Sequence, residues 1–245
     1  MKKEKNHNMA KLIELYINYI FQKATIIVLI ISIIFISLIL FLISDPSLDL
    51  YFYQEAANEI HDNYFKQGLF IISLFNGIIN VAMIITITTN SESFDKLFIS
   101  YTSRRRICIA KILSYLISII FIISLEVLIL YIIPLLFYPK FVIDLEIFKT
   151  IGLLSLELML ECSVALLFVT IVSNIFVPML VMFVFTTIRI ISNNYSNILT
   201  EINNILPIIE YKDGSIFMES IYYVPIYIIL FLIIYNLIYE VKDLY

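Results

Sequence analysis

The chain is dominated by apolar runs too long for the core of a soluble fold. Residues 24–43, "ATIIVLIISIIFISLILFLI", carry no charge and only three hydroxyls. About 20 residues at a rise of ~1.5 Å per residue cross the hydrocarbon of a bilayer. Comparable runs recur at 68–89, 112–133, 150–172, 175–191 and 221–239, which predicts six transmembrane helices. None of them alternates apolar with polar residues, so a membrane barrel is excluded. Composition agrees, with 61% hydrophobic residues in a chain of 245, where soluble domains hold roughly 45–50%. The expected class is all-α membrane protein, with one membrane domain over 1–245.

Charge orients the bundle. Of the sixteen Lys and Arg residues, eleven fall on the side of the termini: Lys2, Lys3, Lys5, Lys11, Lys23, Lys96, Arg104, Arg105, Arg106, Lys111 and Lys242. Lys66, Lys140, Lys149 and Lys212 lie on the other side, and Arg189 stands near a span end. Positive residues stay in the cytoplasm, so both termini and the arginine run are expected there. Asp45, Asp49, Glu55, Glu59 and Asp62 crowd the first outer loop. The first run exceeds a signal-peptide core and ends in "SDPS" without a small-residue cleavage site, which marks it as a retained span.

Two flanking segments read as surface helices. Over 9–22, Lys11, Glu14, Asn18 and Gln22 form a polar stripe at spacings of three and four among Leu, Ile, Tyr and Phe, as in a helix lying in the membrane surface. The outer loop 192–220 contains "NILTEINNILPII", with Ile198, Leu199, Ile202, Ile205 and Leu206 at helical spacing and Pro207 ending the pattern. It is expected to be a helical loop before the last span. Pro178 is expected to bend the fifth span. Tyr222, Tyr223, Tyr235 and Tyr239 look like aromatic anchors of the sixth.

Several chemistries are missing. None of the four glycines begins a phosphate-cradling loop ending in Lys, so the chain is not expected to hydrolyse ATP. His7 and His61 fall on opposite sides of the membrane, which excludes a histidine metal site, and no nucleophile is visibly paired with a base. We expect no enzyme, no cofactor or metal on this chain, and no nucleic-acid partner. Cys108 and Cys162 are not placed to bond each other.

Polar groups inside hydrocarbon must find partners or a wet cavity, so they define candidate sites. Glu126 on the third span, Glu157 and Glu161 on the fourth and Arg189 on the fifth form an intramembrane charge group. Two readings fit: an ion-pair cluster that holds the bundle, or surplus carboxylates that favour cationic cargo. On the second span Ser73, Asn76 and Asn80 share a face beside Gly77, suited to interhelical hydrogen bonds or to the lining of a passage.

After the second span comes "ESFDKLFISYTSRRRICIAK", residues 92–111. Ser91 or Ser93 can cap a short helix with Glu92 and Asp95 in its first turn and Phe94, Leu97 and Phe98 on an apolar side. Thr102 or Ser103 can then cap a helix that carries Arg104 and Arg105 into the third span. This segment and the order of elements around it resemble the membrane subunit of ABC-2-type ABC transporters. The resemblance implies that 91–101 is a coupling helix seated on a separate ATPase subunit, with Glu92, Phe94, Asp95, Leu97, Phe98, Arg104 and Arg105 at the junction. It also implies a homodimer of this chain with two ATPase copies that hold ATP and Mg. The passage would be lined by Asn76, Asn80, Thr186 and Thr187. Small bacterial members of this kind resemble exporters of peptide toxins and peptide-antibiotic immunity permeases, so an amphipathic peptide is the expected cargo, moved across the cytoplasmic membrane. A carrier driven by ions through the buried carboxylates and a stand-alone immunity protein are the rival readings. Reporter enzymes that work only in the cytoplasm should be active when fused to either terminus and silent when inserted within 45–62.

Overall fold

The computed structural model describes residues 9–44, 57–90, 95, 102–137, 145–172, 174, 176–194, 208–212 and 215–241. Seven α-helices and one β-hairpin occur among them. A short helix α1 (Met9–Ile20) is followed by α2 (Lys23–Ser44) and α3 (Ala57–Ile85), whose end widens into a π-turn over Thr86–Asn90. Then come α4 (Arg104–Phe137), α5 (Glu146–Val172), α6 (Val177–Asn194), the strands β1 (Ile209–Lys212) and β2 (Ser215–Met218), and α7 (Val224–Val241).

Polarity is inverted relative to a soluble bundle. On α2 the buried face holds Thr25, Ser32 and Ser44 beside Leu29, Ile36 and Leu40, while Ile27, Ile30, Ile34, Phe35 and Leu38 are exposed. On α4, Lys111, Ser114, Ser118 and Glu126 are buried, and Leu113, Ile117, Ile120, Phe121 and Leu128 face outward. In water these would be apolar patches far larger than soluble monomers carry; in lipid they are the low-energy surface. Five helices among the described residues, α2 to α5 and α7, are long and apolar enough to cross a membrane. The apolar stretch described on α6, Val177–Ile188, is shorter. The chain is a multi-pass membrane protein.

The expected separate first helix is present. Leu12, Tyr16 and Ile20 of α1 are buried at spacings of four, while Lys11, Glu14 and Asn18 are exposed. It packs on α4, where the Ser114 hydroxyl donates to the Ile13 carbonyl at 2.9 Å. The arginine segment and the third span prove to be one helix. Its first bonds run from Arg106 and Ile107 to the Ser103 carbonyl. At 34 residues, α4 is roughly 50 Å long by helical rise, well over the hydrocarbon thickness. It is longer than one crossing requires.

Central in the bundle is α5, which buries most of its residues between Thr150 and Val169 and packs against α3, α4, α6 and α7. Its connection to α6 is short, because the Asn174 side chain accepts from the Phe176 amide at 2.9 Å and its carbonyl takes the Val177 amide. Pro178 therefore sits in the first turn of α6, where a missing donor costs nothing. A proline in that position gives no cause for the expected bend. Instead Pro134 lies inside α4, and a proline there strips the carbonyl four residues back of its donor. That carbonyl belongs to Leu130, and the Tyr64 hydroxyl of α3 supplies the missing bond at 2.8 Å. Gly68 lets the helices meet at this level, since a Cβ there would come within 2.5 Å of Leu130 and 3.0 Å of Leu40.

The loop before the last span departs from expectation. The helical pattern expected over 198–206 lies outside the described residues, and the part of the loop after Pro207 is an antiparallel hairpin with Ile209 opposite Met218 and Lys212 opposite Ser215. Asp213-Gly214 joins the strands, a pair favoured in two-residue hairpin turns. The fold is thus not purely helical. Ile216 and Met218 are buried, with β1 against α3 and β2 against α5.

Tyr64→Phe should cost about 1–3 kcal/mol by stranding the Leu130 carbonyl. In a Pro134→Leu background, which returns the backbone donor, thermal unfolding in detergent should show a smaller loss.

Candidate functional site

Two groups of buried polar residues are assembled by this packing. The first runs through the bundle along α3, α4 and α5. Ser73, Asn76 and Asn80 are at most 5% exposed and lie on one face of α3, turned towards the neighbouring helices. The Ser73 hydroxyl donates to Glu157 of α5 at 2.9 Å. Asn76 lies beside the fully buried Glu126 of α4, although no hydrogen bond of regular geometry reaches either carboxylate oxygen of Glu126 or either amide atom of Asn76 among the described residues. Asn80 receives the Tyr115 hydroxyl of α4, and Glu161 lies near Tyr115 and Cys162. Nearer the end opposite the arginines, Tyr131 and Thr150 share a hydroxyl bond of 3.1 Å.

The face next to this one carries Gly77, where a Cβ would come within 2.9 Å of Met182 on α6. One turn past Met182 stands Thr186, whose buried hydroxyl has no partner among the described residues. Thr187 instead returns its hydroxyl to the Phe183 carbonyl at 2.8 Å. Asn76 and Asn80 thus meet α4, and Thr186 and Thr187 belong to α6. Glu126, Glu157 and Glu161 are all buried; the Arg189 side chain lies outside the described residues.

The second group is a node at the arginine end. Of residues 91–101 only Asp95 is described, so Glu92, Phe94, Leu97 and Phe98 lie outside it. Asp95 is 2% exposed and forms an ion pair with the equally buried Lys111 of α4. Its carboxylate also accepts the hydroxyls of Tyr16 on α1, at 2.7 Å, and Tyr239 on α7, at 2.9 Å. The Lys111 ammonium lies over both phenol rings, 5.6 Å from the centre of Tyr16 and 5.4 Å from that of Tyr239. Burial, together with the Asp95 charge, holds the Tyr16 hydroxyl well above the usual phenol range, so it stays a donor. Beside the node the Arg104 guanidinium donates to the Glu240 carbonyl at 3.2 Å, and Arg105 reaches the Glu240 carboxylate at 4.0 Å. The exposed Arg105 pair contributes little.

Sequence reasoning placed Asp95, Arg104 and Arg105 at this end but assigned Lys111 to topology and Tyr239 to anchoring. Tyr235 and Tyr239 are in fact buried, while Tyr222 and Tyr223 are exposed. One signal was available: Lys111 stands between apolar Ile107–Ala110 and the run that begins at Ile112, and a lysine so enclosed requires a counter-charge. Tyr16 and Tyr239 carried none, because each sits on an apolar stripe that reads as packing.

Cys108 and Cys162 are buried free thiols. Among the described residues no cluster of metal-ligating side chains occurs. The chain matches no protein-family model and no curated protein.

Asp95→Ala strands a buried ammonium and should lower stability by about 3–5 kcal/mol. Adding Lys111→Met should recover most of that loss, measured as the folded fraction that survives heating in detergent.

Proposed function

We propose that this chain is the membrane subunit of an ATP-driven exporter of the ABC-2 type. It works with a separate ATPase, and its two copies enclose a passage for amphipathic peptides. Residues 91–106 and both termini then lie in the cytoplasm. ATP and Mg bind the partner, and closure of the ATPase pair moves the membrane helices between two arrangements.

The observation that carries this reading is the arginine end. There a surface-type helix stands apart from the first span, and the segment after α3 is tied by its Asp95 to three helices of the bundle. A loop that served topology alone has no need of such a fastening. The lack of a phosphate-cradling sequence is consistent with an ATPase on another chain. A peptide cargo suits the reading because amphipathic peptides collect at the bilayer surface and can enter from the side.

The buried Glu126, Glu157 and Glu161 favour a second reading, a carrier driven by protons or ions. The two differ in energy source. In vesicles, export should follow ATP and persist when the pH gradient is collapsed; the carrier predicts the reverse. Phe94→Asp or Leu97→Asp should abolish co-purification of a nucleotide-hydrolysing subunit while the chain itself remains folded. Normal retention of that subunit by both variants would remove the docking assignment.

A further inference from the structure

Segment 91–101 is bonded along the chain to α3 before it and α4 after it. Tyr16 and Tyr239 add α1 and α7, which are remote in sequence, at separations of 79 and 144 residues. Both oxygens of the Asp95 carboxylate are used, and the only cation in contact with them among the described residues is Lys111. The same lysine meets the face of each tyrosine ring. Three side chains from three helices thus close on one buried carboxylate.

We infer that Lys111, Tyr16 and Tyr239 are positioning residues that clamp Asp95, so that a displacement of segment 91–101 is delivered to α1, α4 and α7 together. Neighbouring features support that route. Just before the segment α3 loosens into its π-turn, where the Thr86 and Thr88 hydroxyls fold back onto the Ala82 and Ile84 carbonyls. Such turns are rare and frequently mark functional sites. On the other side the Arg104 bond to Glu240 joins α4 to α7 a second time. The side-chain connections of Asp95 therefore lead to α1, α4 and α7.

The clamp rests on the proposed function only in taking 91–101 as the element a partner moves. It is tested on the chain alone. A Ser100→Cys reporter in the full-length protein, reconstituted in lipid nanodiscs, is labelled with a maleimide; the native Cys108 and Cys162 are buried and give a low background. Tyr239→Phe keeps the ring and removes one bond to Asp95, and should raise the labelling rate about fivefold, the shift expected from one ordinary hydrogen bond. Asp95→Ala/Lys111→Met removes the ionic link without stranding a charge. It should label at least as fast as Tyr239→Phe while its melting temperature falls far less than that of Asp95→Ala, a separation that a merely structural pair would not show. Unmodified labelling rates in both variants, with the protein folded, overturn the clamp. Faster labelling in a chain that never retains a nucleotide-hydrolysing subunit supports the clamp and rejects the transporter assignment.

Discussion

Hydrocarbon offers no hydrogen-bond partner, and the whole structure follows from that constraint. Most polar side chains within the spans are answered by protein, with Asn76, Glu126 and Thr186 among the exceptions in the described residues. Ser114, Ser118, Ser124 and Thr170 send their hydroxyls back to carbonyls one turn earlier on their own helices. Ser73 and Tyr115 are answered across helices, by Glu157 and Asn80. The carbonyl freed by Pro134 is answered by Tyr64. The same rule turns the polar faces of α2 and α4 inward and leaves Ile, Leu and Phe outside, so the helices associate through packing and polar contacts with no hydrophobic drive between them.

The two ends of the bundle are held by different physics. Away from the arginines, rings and small residues dominate. Phe65 lies against Tyr64 and Tyr131, and Gly68 brings α3 close to α2 and α4. At the arginine end one ion pair is enclosed by two tyrosines. Burying such a pair contributes little net stability, because desolvation offsets attraction, but it specifies geometry since a misplaced partner leaves an unpaired charge. A chain that must hold one segment in one place has reason to use it there. Helix α4 links the ends, carrying Lys111 near one and Pro134 near the other.

Much of the candidate site was legible as residue types and little of it as pairs. Glu126, Glu157, Glu161, Asn76 and Asn80 stand out because polar groups in apolar runs are expensive. Which of them meet depends on how α3, α4 and α5 are rotated against one another. Helical spacing puts Ser73, Asn76 and Asn80 on one face but does not say that the face opposes α4 and α5, with Gly77 turned to α6. The tyrosines were misread for a related reason. A phenol at a span end is equally suited to an interface or to a buried hydroxyl partner, and only the neighbouring helices distinguish the two. The hairpin was overlooked because the whole loop 192–220 was read as helical, although its sequence holds the Asp-Gly pair that hairpins favour.

Sequence alone determined the membrane class, the separate first helix, the places of five helices able to cross and the end that carries the arginines, since each depends on local composition read against the thickness and polarity of a bilayer. Tertiary structure alone decided that Asp95 belongs with Lys111, Tyr16 and Tyr239, that Tyr64 repairs the gap left by Pro134, and that a hairpin packs on α3 and α5. Those pairings join residues tens to more than a hundred positions apart. No local periodicity encodes them, because they are set by helix rotation and depth, which emerge only when the packed bundle is solved as a whole.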